Sequence, residues 1–296
     1  MAKDKSKVTK ASRLERIEAE QIVYPVELAL EAKSQYRCFE ELIAILYGPT
    51  GIGKTTLEFS IPGMYVLATE PINNPAPFRN SEIPNWPTFK SFLDKAEANP
   101  RFVETVSMWG IDTIDALVRK CMSSICFEWG LCELSDEGFA RAWMELKDEL
   151  IFSLCRLRAL GPGILIVSHE RQRPFTQHRI TYEKASMDLS DSICNAVHFL
   201  STVIMHMRYV DQSETSAELG HMRCISIRGS EEEDAKDNTG KLIQACSGDT
   251  GMIKFKTEDV AVRKILACFA DTPTIKKTKK CKKKSVKKSV KKAKHR

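Results

Sequence analysis

Apolar and polar residues alternate along this chain in blocks. Glu40-Glu41-Leu42-Ile43-Ala44-Ile45-Leu46-Tyr47 ends in an apolar run that stops at Gly48, as a strand buried on both faces should. A helix-compatible stretch opens at Lys54, and Met64-Tyr65-Val66-Leu67-Ala68-Thr69 reads as a second strand. Pro71, Pro75, Pro77, Pro84 and Pro87 crowd residues 71–87, which predicts a loop. Beyond it the spacing predicts a helix over about 88–98, a strand from Phe102 to Ile111, and helices over about 114–129 and 138–160. Gly161-Pro162-Gly163 stops the last of these, and Ile164-Leu165-Ile166-Val167-Ser168 is the clearest strand in the chain. Residues 170–190 are polar and predict a loop; Ala196–Tyr209 and Met222–Arg228 are β-rich; a final helix is expected over about 258–269. Strands alternating with helices imply an α/β fold, a mostly parallel sheet with helices on both faces. The expected organisation is an N-terminal arm or peripheral helix over 1–38, one domain over 39–272, and a tail over 273–296.

Composition changes this picture at the C-terminus. The 296 residues hold 45 Lys+Arg against 39 Asp+Glu, a net charge of +6. Residues 275–296 alone contain 12 Lys and 1 Arg with no acid, leaving 32 basic against 39 acidic residues elsewhere. The chain is thus an acidic body with a strongly basic appendage. A hydrophobic content of 43% supplies one large α/β core or two small ones, which excludes wholesale disorder. No run of 18 apolar residues occurs, so no membrane partner is expected, and Met1 to Lys7 is charged, unlike a secretory signal. The ten cysteines show no C-x-x-C pair and fall mostly in apolar runs, which points to a reduced, intracellular, cytoplasmic protein.

The chemistry is concentrated at Gly48-Pro49-Thr50-Gly51-Ile52-Gly53-Lys54-Thr55, continued by Thr56, which fits G-x-x-x-x-G-K-[S/T] in full. Glycines let the backbone curl so that successive N–H groups face phosphate oxygens, and the following helix presents its positive end to the same anion. Lys54 reaches the β- and γ-phosphates, and the Thr55 hydroxyl ligates Mg²⁺. The context, a buried strand before and a helix after, is the one such a loop requires. A carboxylate on a neighbouring strand must hold the metal's water shell. Asp112, at the end of Thr105-Val106-Ser107-Met108-Trp109-Gly110-Ile111, is the candidate, although Ser107 and Gly110 interrupt its apolar run. Asp115 is the alternative, or else a helix cap.

Four segments in order, Tyr47 to Thr56, Val66-Leu67-Ala68-Thr69-Glu70, Ile111-Asp112-Thr113-Ile114-Asp115-Ala116-Leu117, and Ile164-Leu165-Ile166-Val167-Ser168-His169-Glu170, carry a family resemblance. Over roughly residues 40–240 the chain resembles the phage-encoded, RecA-like P-loop ATPases, among them AAA-type phage nucleotide-binding proteins and single-strand-annealing ATPases. The resemblance implies a RecA-like P-loop core, ATP and Mg²⁺ as cofactors, and assembly into homo-oligomers. It implies that Glu70 orients the attacking water and that His169, beside Ser168, senses the γ-phosphate. It also aligns Lys236, in Asp234-Ala235-Lys236-Asp237-Asn238, with a basic motif whose following Arg is here Asn238; Lys236 would then act on a γ-phosphate in its own or a neighbouring subunit.

In such proteins the loop after the sensing strand contacts single-stranded DNA. Here that loop carries Arg171, Arg173, Arg179 and Lys184 interleaved with Phe175, His178 and Tyr182, cations for phosphates and rings for bases. A surface loop with solvated charges has the same composition. The tail, with Lys282, Lys283 and Lys284 at its densest point, binds nucleic acid by counterion release, or serves as a nuclear-import address, a solubilising tail or a tether onto the acidic body. The expected function is an ATPase acting on single-stranded DNA in phage recombination, annealing or replication. The alternatives are a nucleotide-dependent nucleic-acid-binding module with little hydrolysis, or a small-molecule P-loop kinase.

Overall fold

The computed structural model describes residues 36, 38–72, 79–134, 140–177, 180–210, 222–246 and 250–270. The strand read around residue 45 is β1 (Ile43–Gly48), and the helix after it is α1 (Lys54–Phe59). Strands β2 (Met64–Ala68) and β3 (Asn80–Glu82) follow, then helix α2 (Trp86–Glu97) and the short α3 (Pro100–Val103). Strand β4 (Met108–Asp112) leads into α4 (Ile114–Trp129) and α5 (Ala140–Ala159), close to their predicted spans. A long strand, β5 (Gly163–Gln177), pairs with β6 (Ile180–Met187), and α6 (Asp191–Leu200) precedes β7 (Val203–Tyr209). Strands β8 (Arg223–Ser226), β9 (Lys236–Asp237) and β10 (Met252–Phe255) and helix α7 (Glu258–Ala270) complete the described elements.

The strand order is β10-β8-β7-β1-β5-β4-β2-β3, with β9 alongside β7 and β6 on the outer half of β5. The six strands from β7 to β3 run parallel, while β8 and β10 add antiparallel. The α/β fold with a mostly parallel sheet is therefore as expected. Successive residues of β1 serve opposite faces. Ile45 and Tyr47 pack with Trp109, Leu117 and Leu150 under α2, α4, α5 and α6. Ala44 and Leu46 pack with Leu57, Val167 and Ile265 under α1 and α7.

Four expectations need correction. Residues 102–107 are not strand: Asn99 accepts from the Phe102 N–H at 3.2 Å and Pro100 occupies the first turn, so α3 forms there and β4 begins only at Met108. Residues 170–190 are not a loop: eight register pairs join Glu170–Gln177 to Ile180–Met187 in a hairpin. Its base joins the core through Ala185 and Met187, while Arg171, Gln172, Phe175 and Thr176 are exposed, so the outer pairing leaves no apolar pattern in the sequence. Residues 191–200 are helical, because Ile193, Cys194 and Val197 are buried at helical spacing despite their β-rich composition. Finally, the proline-rich stretch yields two elements. Pro87 lies in the first turn of α2, capped by the Asn85 side chain on Thr88 N–H at 2.9 Å, and Asn80–Glu82 pairs with β2 as a polar edge strand.

Candidate active site

Parallel strands bring their C-terminal ends to one edge of the sheet, where ligands of open α/β folds bind. Gly48 stands opposite His169, and Ala68 opposite Asp112, so the ends of β1, β5, β4 and β2 are level. The chain between β1 and α1 makes the curl the motif requires, with Gly51 at φ +80° and Gly53 at φ +106°, values that side chains disfavour. A cavity of about 280 Å³ opens there, lined by Thr50, Gly51, Gly53, Lys54, Thr55 and Thr56 on one side. Glu70, Asp112, Thr113 and His169 line the other, together with Pro71 and Ile72. The candidate residues Lys54, Thr55, Asp112, Glu70 and His169, from four separate segments, thus converge on one space.

Lys54 is buried, and its ammonium donates to Gly48 O at 2.8 Å and Pro49 O at 2.9 Å. Burial pulls its proton affinity below the ordinary lysine range, against the opposing pull of Asp112, Asp115, Glu170 and Glu70. Thr55 donates to Asp112 Oδ2 at 2.6 Å. Burial pushes the Asp112 carboxyl up, opposed by the Thr55 hydrogen bond and the Lys54 charge. Of the two candidate aspartates, Asp112 faces Thr55, whereas Asp115 turns to His169 on β5. Asp115 accepts from the His169 N–H at 3.2 Å and lies 2.7 Å from His169 Nδ1. It neither caps α4 nor lines the cavity. With a carboxylate at Nδ1, that nitrogen carries the proton and Nε2 is left for other partners.

Glu70 Oε1 accepts from Arg119 Nη2 at 3.2 Å and Oε2 from the Thr113 hydroxyl at 3.3 Å. Arg119 also approaches Asp115 at 3.8 Å, one helical turn back. A chain of polar contacts therefore runs Glu70–Arg119–Asp115–His169 and links two residues of the same cavity wall. Sequence reasoning missed Arg119. Its i,i+4 spacing to Asp115 on a predicted helix was the available signal.

Other candidates lie elsewhere. Lys236, in β9, donates to His198 O at 2.7 Å and does not line the phosphate cavity. A second cavity, of about 630 Å³, lies between the hairpin and α6, with Arg171, Arg173, Phe175, Lys184 and His198 in its wall. Arg173 there is committed internally, to the Asp191 carboxylate, Leu189 O and Met187 O. Lys184 pairs with Asp234 at 2.7 Å, and Arg171 is exposed. Arg179, Lys282, Lys283 and Lys284 lie outside the described residues. Among the described residues the nine cysteines are not in disulfides, and no helix is long and apolar enough to cross a membrane.

Oxygen donors of the Thr55–Asp112 type suit Mg²⁺, which is commonly held by one or two carboxylates with phosphate and water completing its shell. Among the described residues no group of three or more His, Cys, Asp or Glu side chains is placed to hold a metal ion. No curated protein matches the chain in sequence. A family model described as an AAA domain matches residues 40–239, which takes in the phosphate loop, Glu70, Asp112, His169 and the hairpin. With that match spanning most of the chain, the protein belongs to this AAA domain family of nucleotide-binding and nucleotide-hydrolysing proteins.

Proposed function

We propose that this chain is a Mg²⁺-dependent ATPase of RecA-like type whose nucleotide state governs its hold on single-stranded DNA, working as a homo-oligomer in phage recombination, annealing or replication. The observation that carries the ATPase reading is the convergence of Lys54, Thr55, Asp112, Glu70 and His169 on one cavity at the end of the phosphate loop. The loop amides and Lys54 hold the phosphates, with Lys54 exchanging its Gly48 and Pro49 carbonyls for phosphate oxygens. Thr55 and Asp112 hold Mg²⁺, which neutralises charge on the transferred phosphoryl group. Glu70 orients water once Arg119 and Thr113 release it, and His169, fixed by Asp115, reads the γ-phosphate. His169 is followed directly by the hairpin, so a change at the phosphate passes into the segment carrying Arg171 and Phe175.

The test is ATP hydrolysis with and without single-stranded DNA over a salt series. Lys54→Ala should abolish turnover with the fold intact, and retained turnover would sink the site. Glu70→Gln should bind ATP yet lose hydrolysis by about 10²-fold or more. A second reading, a nucleotide-dependent binding module with slow hydrolysis, draws on the Arg119 ion pair, which holds the water-orienting carboxylate away from its task. DNA binding without stimulated turnover would favour it.

A further inference from the structure

The phosphate loop is gripped from outside its cavity as well as within. Arg223, at the start of β8, donates from Nη1 to Ile52 O at 2.9 Å, in the crown of the loop. The same nitrogen pairs with Glu258 Oε1, from the first turn of α7, and Nη2 donates to Lys256 O at 3.0 Å. The guanidinium carbon lies 5.3 Å from the centre of the Phe255 ring. The Arg223 and Glu258 side chains are only 17% and 15% exposed, so solvent screens the pair in part. A Cβ on Gly53 would strike both Arg223 Nη1 and Glu258 Oε1. Gly53 is therefore favoured by its positive φ, and a side chain there would displace the ion pair packed against it.

The arrangement poses an electrostatic question. A loop that receives a polyanion has a carboxylate packed against its sixth residue, and an unpaired charge there would oppose phosphate binding. Arg223 cancels that charge and ties the Ile52 carbonyl in the same contact. We propose that Arg223 is a positioning residue for nucleotide binding that acts as an electrostatic clamp: it holds the Glu258 carboxylate beside the phosphate loop and neutralises a charge that would otherwise repel the triphosphate. Glu258 lies beyond the matched residues 40–239, so β10 and α7 complete the nucleotide site from outside the family region. Neither residue lines the cavity, and the effect passes through the loop.

This inference rests on the ATP-binding reading, and its test separates the two. ATP and ADP affinity is measured by calorimetry with Mg²⁺ on the full chain. Arg223→Ala should weaken ATP binding by about tenfold and ADP binding by less, because the exposed carboxylate repels the larger charge more. Glu258→Gln should stay within about threefold of the wild-type affinity, and Arg223→Ala/Glu258→Gln should return to about that level. A merely structural contact predicts the reverse, with the double variant at least as weak as Arg223→Ala. That result, or an unchanged affinity in Arg223→Ala, overturns the clamp. Arg223→Gln keeps a donor for Ile52 without the charge, so it carries the same test if the alanine variant does not fold. A wild-type chain that binds no ATP overturns the function and the clamp together; wild-type binding with no effect of Arg223 overturns the clamp alone.

Discussion

Glu58 is the residue whose environment departs furthest from what its chemistry asks. It sits on α1, wholly buried, and neither carboxylate oxygen has a hydrogen-bond partner among the described residues. Gly110, which interrupts the apolar run of β4, makes the space: a Cβ there would collide with the Glu58 carboxyl. The glycine that weakened the strand in sequence is thus the reason β4 packs closely while remaining buried throughout. Burial, then the nearby Asp112 charge, pushes the Glu58 carboxyl well above the ordinary glutamate range. A carboxyl raised in the folded state contributes its stability in full below its unfolded value and loses it as pH rises through the folded one. Glu58→Gln removes that linkage. Urea unfolding should show the variant more stable than wild type by about 1 kcal/mol or more near pH 8, with the gap closing toward pH 5. An equal difference at both pH values would mean the carboxyl does not titrate with folding.

At the scale of elements, helices and central strands were legible because packing wrote them into the sequence. β1, α4 and the core half of β5 are where apolar spacing put them, and the phosphate loop followed from its own motif. The sequence was silent where strands pair without an alternating apolar pattern, as in β3 and the outer part of the β5–β6 hairpin, whose residues are largely exposed. The site was legible in its types and order but not in its couplings. Arg119 and Arg223 reach Glu70 and Ile52 from 49 and 171 residues away, distances no local pattern spans. The hairpin also divides its cations. Arg173 braces the turn before α6 through Asp191, Met187 O and Leu189 O, so Arg173→Ala should lower Tm by several degrees. Arg171 is exposed, so Arg171→Ala should leave Tm unchanged, weaken single-stranded DNA binding and reduce its salt slope by about one unit. Equal DNA affinity in the Arg171 variant would remove this residue from the interface.

At the scale of the molecule, the proposed function requires an acidic body to approach a polyanion. Outside residues 275–296 the chain has 32 basic against 39 acidic residues, so its long-range field opposes nucleic acid, and Lys184 and Arg173 are neutralised by Asp234 and Asp191. The 13 cations of residues 275–296, with no acid among them, are the counterweight. Their binding releases condensed counterions, depends on salt rather than base sequence, and raises the local concentration of DNA near the hairpin. Deleting 275–296 should therefore weaken single-stranded DNA binding by about 10-fold or more at low salt and flatten the slope of log affinity against log salt by several units. ATP turnover without DNA should be unchanged, because the residues that line the phosphate cavity, Thr50 to His169, and the Arg223–Glu258 pair beside it all precede the tail. If DNA stimulates turnover, the truncated chain should need more DNA for half-maximal stimulation while reaching the same maximum. A lower maximum at saturating DNA would instead place the tail in the coupling between the hairpin and the phosphate sensor, and an unaltered slope would show that its charge is spent elsewhere.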